Sequence, residues 1–442
     1  MSVRTYVESR KLGFFVGEQL LLFAAFVVSA LAVARGLGLN ADWFRVCIEA
    51  ACATAALQVG LYLADLYDFK VAYQDAPRAT RLLKAIGAAT IVCGLGTLLI
   101  PGPSPAKAIA VAGLGGACTV ALALRAALPE VGRVTALRAR VFLIGQGSQA
   151  ALKLQHEIAR DGHTEIVGSA TIETVGLAAR SRARGANVIV VAVDDRRGLN
   201  VRELLACRLA GLEVIDGPTF VERALKKIPV DLVKPGDLVF SDGFERPMWL
   251  LAGRRLVSLT ASLVLFMLAA PVLLLVSILI KLDSKGPVFY SQERVGMSGR
   301  NFKMLKFRTM RTDAEATGVK WAQKDDPRVT GIGKWLRRFR VDELPQILNV
   351  VKGEMGIVGP RPERPEFVAK LRRQIPYYDL RTLVPPGITG WAQIRYPYAA
   401  SLEEAREKLQ YDLWYVKHLS VRLDLAILFH TAKVVVFGRG AR

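Results

Sequence analysis

Arg340-Val341-Asp342-Glu343-Leu344-Pro345-Gln346 sets two adjacent carboxylates between a basic run and a proline. Upstream lie a long apolar segment ending near Ile280 and the basic run Lys306-Phe307-Arg308-Thr309-Met310; downstream comes Gly359-Pro360-Arg361-Pro362-Glu363. Acids beside fixed cations beside a membrane segment point to phosphate chemistry on a lipid.

Taken alone, the carboxylate pair has two readings. Asp342 can cap the helical run Leu344 to Lys352, which Gly353 ends, with Glu343 as a first-turn acid. Alternatively, Mg²⁺ and the positive end of that helix gather a diphosphate while one carboxylate attacks phosphorus. Neighbouring helical residues diverge by about 100°, so the two acids take different parts. The surroundings favour the second reading. Arg361 is fixed between Pro360 and Pro362, which suits a bidentate phosphate clamp better than a flexible salt-bridge arm. Turns at Gly286-Pro287 and at Gly296 with Gly299 bracket short strand-like runs that gather Arg294, Lys306 and Arg308 on one basic surface. Pro386-Gly387-Ile388-Thr389-Gly390-Trp391-Ala392-Gln393 is a second glycine-rich turn, and Gln410-Tyr411-Asp412-Leu413-Trp414-Tyr415 brings another acid among aromatics.

Composition narrows the class. The 442 residues are 52% hydrophobic with a positive mean hydropathy, too apolar for an ordinary soluble protein. Of the net charge of +21, most lies in residues 245–442, with 33 Lys and Arg against 18 Asp and Glu. That portion prefers an anionic membrane surface or a phosphorylated substrate; nucleic acid is set aside, because no helix-turn-helix, zinc or RNA-binding signature accompanies the charge. The five cysteines show no Cys-x-x-Cys pair and read as small hydrophobes. The first apolar run is followed by Arg35 and not by a small-residue cleavage site, so no cleavable signal is expected.

Four apolar segments open the chain, roughly Leu12 to Ala34, Phe44 to Leu66, Leu82 to Ile100 and Ala108 to Leu128. Each is close to the length that crosses a hydrocarbon core, and their small residues suit close packing in a bundle over 1–130. Lys and Arg concentrate before the first, between the second and third, and after the fourth, which places both the N-terminus and everything after Leu128 in the cytoplasm. Glu18 and Glu49, inside the first two segments, are expected to make interhelical or interfacial hydrogen bonds.

Arg140 to Ile144 then reads as a buried strand running into Gly145-Gln146-Gly147-Ser148-Gln149-Ala150-Ala151 and a helix, a G-x-G-x-x-A layout. Further strands at Glu165 to Ala170, Asn187 to Val193 and Glu213 to Ile215 predict a Rossmann-like α/β domain over 138–240. The glycine turn is a nucleotide site or a tight turn packed on a sheet. The turn is favoured, because no acid ends the second strand to hold a ribose. Lys226 to Met248 reads as a linking segment, with Asp231 to Phe240 adding a strand or two.

Arg255 to Ile280 is long enough to span a bilayer, yet Arg254 and Arg255 flank one end, Lys281 and Lys285 the other, and Pro271 sits between. Positive charge at both ends frustrates a crossing and proline breaks the helix, so a re-entrant hairpin over 250–285 is expected, with a small α/β monotopic domain over 286–442.

Residues 250–442 resemble, nearly end to end, the bacterial sugar transferase family, the monotopic phosphoglycosyl transferases that initiate exopolysaccharide, capsule and O-antigen synthesis. Lys-Phe-Arg-Thr-Met, Asp-Glu-Leu-Pro-Gln, Gly-Pro-Arg-Pro-Glu and Pro-Gly-Ile-Thr-Gly-Trp stand in order, and the four leading helices resemble its large members. The resemblance implies transfer of a hexose 1-phosphate from a UDP-hexose to undecaprenyl phosphate with release of UMP, at the cytoplasmic face of the bacterial inner membrane. By position it implies Asp342 as a nucleophile forming an aspartyl phosphosugar, Glu343 helping to hold Mg²⁺, and Arg361 on phosphate. Arg308 and Gln393 follow as substrate contacts, and Asp412 joins Asp342 and Glu343 as a metal residue. One departure stands at the helix break, where Ala270-Pro271 replaces the family's frequent Ser-Pro. The four-helix front end suits dimerisation, leaving a homodimer open. A membrane-tethered nucleotide-sugar dehydratase would need a second dinucleotide fold and a Tyr-x-x-x-Lys pair, which is absent. An assembly scaffold would make the acid and arginine motifs purely structural.

Overall fold

The computed structural model describes residues 3–39, 42–63, 86–87, 90–91, 104–134, 139–161, 164–311, 328–396 and 401–436. It divides into two compact units, Met1–Gly217 and Pro218–Arg442.

The first unit begins with three long helices, α1 (Val3–Gly36), α2 (Trp43–Leu63) and α3 (Ser104–Val134). Leu22, Phe26, Ala30, Leu57, Ala117 and Ala121 form their shared core, the small-residue packing that suits helices in lipid. Three apolar windows here, Phe15–Gly36, Trp43–Tyr62 and Lys107–Leu124, are long enough to cross a membrane. Most of the segment expected at Leu82 to Ile100 lies outside the described residues. Glu49 accepts from Arg45 Nε at 2.8 Å, a pairing four residues apart on α2 itself.

A four-stranded parallel sheet follows, ordered β2-β1-β3-β4: β1 (Ala139–Ile144), β2 (Thr164–Ala170), β3 (Val188–Val191) and β4 (Glu213–Asp216). Val141 to Ile144 are wholly buried, as a central strand covered on both faces requires. The glycine-rich turn leads into α4 (Gln149–Asp161). Gly145 has φ +106°, and a Cβ there would stand 2.1 Å from the Ala192 carbonyl oxygen, so glycine serves the close approach of this turn to the end of β3. The first amides of α4, Gln149 and Ala150, donate to Asp194 Oδ2 and Oδ1 at 2.9 and 3.0 Å. A carboxylate of the chain itself thus takes the place where such a turn would cradle a phosphate, which supports the tight-turn reading.

The second unit begins earlier than expected. Residues 218–247 belong to it, because Ile228 and Val230 enter its core and Ile228 N–H donates to the Gln410 carbonyl at 2.9 Å. α5 (Leu177–Ala183) and α6 (Val201–Leu209) complete the sheet unit, and α7 (Gly217–Leu225) carries the chain across the boundary. The strand expected within Asp231 to Phe240 is a short helix, α8 (Pro235–Val239). Pro235 fixes its first turn and Asp237 Oδ2 accepts from Lys234 N–H at 3.0 Å, a capping arrangement that overrides the apolar alternation.

The apolar segment is one helix, α9 (Met248–Asp283), unbroken through Pro271. The expected two-armed break is therefore not an interruption of the helix, although Pro271 leaves the Met267 carbonyl without its amide donor. Both ends rest on the same unit. Near the start Ser258 Oγ accepts from Ile357 N–H at 3.3 Å, and near the end Val276 and Ile280 pack with Phe307 and Leu336. Between them Leu263 to Leu268, Leu274 and Leu275 are exposed and apolar.

After α9 come the antiparallel hairpin β5 (Phe289–Val295) and β6 (Asn301–Phe307), helix α10 (Gly331–Arg338), and α11 (Gln346–Lys352). A short parallel pair, β7 (Gly356–Val358) and β8 (Gly387–Thr389), stands beside α12 (Pro365–Gln374), α13 (Trp391–Arg395), α14 (Leu402–Lys417) and α15 (Val421–Val436). Their core gathers Val358, Trp391, Leu413, Tyr415 and Ile427.

Candidate active site

Asp342 and Glu343 do not open a helix. They lie in a single 3₁₀ turn, Val341–Glu343, entered through Arg340 at φ 57°, and α11 starts only after Pro345. Asp342 caps nothing: its Oδ1 is buried and has no hydrogen-bond partner among the described residues. The capping reading of the pair is therefore overturned, and the turn presents two carboxylates in different surroundings.

Glu343 is clasped by cations. Arg361 Nη2 stands 2.6 Å from Oε1 and Nη1 3.4 Å from Oε2, a two-pronged pairing. Lys306 Nζ and Arg340 Nη1 lie 3.4 and 3.5 Å from Oε1. Burial pushes the Glu343 carboxyl up, but Arg361 and then Lys306 outweigh it and hold it well below the ordinary value of 4.5. Asp342 goes the other way. Burial raises it above the ordinary 3.8, Lys306 opposes, and the charge of Glu343 reinforces. The Lys306 ammonium is lowered by its burial, with Glu343 opposing. The pair thus has one acid fixed as an anion and one uncommitted acid beside it.

Arg361 reaches this place from the loop after β7. A Cβ on Gly359 would fall 2.3 Å from the Pro385 carbonyl oxygen and 2.8 Å from Gly387 N, so only glycine allows β7 and β8 to close here before the chain turns into Pro360. Behind the loop Arg381 Nη2 donates to the Arg361 carbonyl at 2.8 Å and to Asp412 Oδ2 at 2.8 Å, while Nη1 donates to Tyr378 Oη at 2.9 Å. Glu363 pairs with Lys408 at 3.0 Å and Arg294 at 3.7 Å. Burial would raise its carboxyl, but Lys408, Arg381 and Arg294 bring it down to about 2.

Lys306, Asp342, Glu343 and Arg361 thus meet, with Arg294 at the edge through Glu363 and through the Pro362 carbonyl at 3.2 Å. Three expected residues do not join them. Arg308 donates to the Ser284 and Lys285 carbonyls at 2.7 and 2.9 Å and to Ser284 Oγ at 2.9 Å, so it caps the end of α9. Gln393 Nε2 donates to the Ile388 carbonyl at 3.0 Å within its own turn. Asp412 Oδ2 accepts from Arg381, away from the acidic turn, and no cluster of three or more Asp, Glu, His or Cys fit for a metal occurs among the described residues. Arg340 and Arg381 were missed. Arg340 adjoins the acids and could have been read from adjacency, whereas Arg381 comes 20 positions after Arg361 with no local signal.

Arg308→Ala is expected to destabilise the second unit by about 2–4 kcal/mol, since three bonds from a buried guanidinium vanish, while leaving substrate KM within about twofold. Thermal unfolding compared with steady-state kinetics checks it.

The bacterial sugar transferase family profile matches residues 249–438, which contain all of these groups. The chain is 39% identical over 249 residues to the UDP-N-acetylgalactosamine-undecaprenyl-phosphate N-acetylgalactosaminephosphotransferase of Aeromonas hydrophila, covering 56% of this chain and 58% of that protein. It is 34% identical over 321 residues to the undecaprenyl-phosphate glucose phosphotransferase of Komagataeibacter xylinus, covering 69% of this chain and 60% of that one. It is 42% identical over 184 residues to the exopolysaccharide production protein PSS of Rhizobium leguminosarum bv. phaseoli, of which it covers 92%. The chain belongs to the bacterial sugar transferase family. The chain thus spans about three fifths of the first two relatives' length. Within the family-matched region, the acidic turn and the Pro-Arg-Pro loop face each other across the Glu343–Arg361 pair, and the sheet unit lies outside the match.

Proposed function

We propose that this chain transfers a hexose 1-phosphate from a UDP-hexose to undecaprenyl phosphate, releasing UMP, as the initiating step of exopolysaccharide, capsule or O-antigen synthesis. The observation that carries this reading is the uncommitted, buried Asp342 oxygen beside a carboxylate clamped by Arg361 and Lys306. The names of the relatives, which are undecaprenyl-phosphate sugar phosphotransferases, support the substrate pair.

An Asp342 carboxylate oxygen attacks the β-phosphorus of the donor. The bond from that phosphorus to the bridging oxygen breaks, and UMP leaves with the electron pair. A phosphate oxygen of the lipid then attacks the same phosphorus, the acyl phosphate bond to Asp342 breaks, and the carboxylate is restored. Arg361 and Lys306 offset charge on the phosphoryl oxygens in both steps. Glu343, whose Oε2 has one hydrogen bond among the described residues, from Arg361 Nη1 at 3.4 Å, would hold a Mg²⁺, which would supply further charge neutralisation there. A magnesium caged by protein carboxylates alone does not fit.

The helix α9 belongs to this reading. A straight helix of 36 residues is about 54 Å long, more than a hydrocarbon core needs. Cations at each end and contacts of both ends with one folded unit support a continuous helix that bends at Pro271, so that it enters and leaves by the same face, here the cytoplasmic face of the inner membrane. The activated donor is then met on the side where it is made.

Incubation with labelled UDP-hexose and no lipid is expected to leave label on Asp342. Label persisting in Asp342→Asn would sink the assignment, and UMP release across a panel of UDP-sugars identifies the hexose. Because the attacking carboxylate must be ionised and Asp342 is raised, the acid limb of the first half-reaction is expected above the ordinary aspartate value of 3.8. Lys306→Gln removes the largest opposing cation and should move that limb further up, which pre-steady-state UMP release over pH will show.

A further inference from the structure

The membrane helix carries a buried arginine that the proposed chemistry does not use. Arg254, on the first turns of α9, is 7% exposed. Its Nε donates to Asp424 Oδ2 at 2.8 Å, and Nη2 reaches both the Val358 carbonyl at 3.3 Å and the Tyr415 hydroxyl. Tyr415 Oη lies 2.7 Å from Asp424 Oδ1 and 3.2 Å from the same Val358 carbonyl. One turn further along α9, Ser258 Oγ accepts from Ile357 N–H at 3.3 Å. The last two residues of β7 are therefore both tied to the membrane helix.

Val358 is three positions before Arg361. The other end of that short segment is held by a second guanidinium, Arg381 on the Arg361 carbonyl at 2.8 Å. Between them Gly359 N–H donates to Thr389 at 2.9 Å and the Pro360 carbonyl accepts from Gly387 at 3.0 Å. We propose that Arg254, Asp424 and Tyr415 are positioning residues that fix Val358 to the membrane helix and so set where the Arg361 clamp stands. A buried ion pair is a poor way to gain stability, since apolar residues of the same volume do as well, but it fixes one geometry where apolar packing tolerates several. Here two side chains, from α9 and α14, converge on a single carbonyl of the strand that delivers the clamp, and Asp424 on α15 holds both of them. Seating of α9 in lipid is thereby felt at Arg361. The functional consequence rests on the reading of Arg361 as the phosphate clamp.

The test uses the full chain in lipid nanodiscs, with Tyr415→Phe and Asp424→Asn compared against Ile427→Val. Ile427 is wholly buried on α15 and its methyl loss weakens packing without touching the network. Hydrogen exchange over 356–363 is expected to speed up about tenfold in Tyr415→Phe and Asp424→Asn and to stay at the wild-type rate in Ile427→Val. The KM for UDP-hexose in UMP release should rise about fivefold in the two network variants, and Tyr415→Phe combined with Arg361→Lys should cost less than the product of the single effects. Exchange over 356–363 that stays within twofold of wild type, or that rises equally in Ile427→Val, overturns the positioning role. If the wild-type chain releases no UMP, the proposed reaction falls, while the exchange comparison still decides whether the network holds the strand. Substitution of Arg254 by Lys adds a graded arm: one ammonium keeps the pairing with Asp424 and loses the reach to Val358, so exchange should be intermediate.

Discussion

Asp342→Asn is expected to abolish UMP release from UDP-hexose, with a loss of about 10⁴-fold in kcat or more, while the chain still folds and still binds UDP. The amide is isosteric, so the 3₁₀ turn and the Glu343 clamp should persist. What disappears is a buried carboxylate oxygen that has no hydrogen-bond partner among the described residues. Asn also carries no charge, so Lys306 loses one of the anions that keeps it protonated and its ammonium should be lowered further than in the wild type. A residual rate above about one hundredth of wild type would move the nucleophile elsewhere. Glu343 is the obvious other acid, and its own geometry argues against it, because both oxygens face guanidinium or ammonium groups that would have to be vacated before attack.

Much of this site was legible in the chain. The rigidity of Pro360-Arg361-Pro362 and the adjacency of Asp342 and Glu343 follow from residue type and order alone, whereas the pairing of Lys306 with Glu343 comes with the fold. The parallel sheet was also legible, because Val141 to Ile144 form an apolar run of strand length that ends at glycine. The expected residues that do not meet at the acidic turn share a cause. Arg308, Gln393 and Asp412 each had the right chemistry, but a polar side chain in a folded unit goes to whichever partner tertiary packing supplies, and each found one nearby: the end of α9, an adjacent carbonyl, and Arg381. Local spacing carries no information about Arg381, which meets Arg361 only through the fold. The helix start was misplaced by the same kind of competition. Asp342 has the composition of a cap, yet Pro345 begins a new turn after it and leaves its carboxylate free.

Arg361→Ala is expected to lower kcat/KM by about 10³-fold and Arg361→Lys by about 10²-fold, the difference reflecting a point charge that remains without the two-pronged geometry. A second consequence separates the clamp from any other use of this arginine. Glu343 is held below its ordinary 4.5, with burial opposing and Arg361 the largest favourable influence. A carboxyl whose folded value is lowered adds stability that is fully present above the unfolded value and drains as pH falls towards the folded one. The wild-type unfolding midpoint should therefore fall as pH drops below about 4.5, as the Glu343 contribution is lost. Arg361→Ala should begin less stable at neutral pH, because a buried carboxylate has lost its nearest counter-charge, and should show a shallower acid slope, because less remains to lose. Glu343→Gln should flatten the slope too, from a different starting point, since it leaves Arg361, Lys306 and Arg340 facing one another. If Arg361→Ala loses activity but keeps the wild-type acid slope, Arg361 serves the substrate without being the partner that fixes Glu343 as an anion. The division of the acidic turn into one clamped and one free carboxylate would then rest on Lys306 and Arg340.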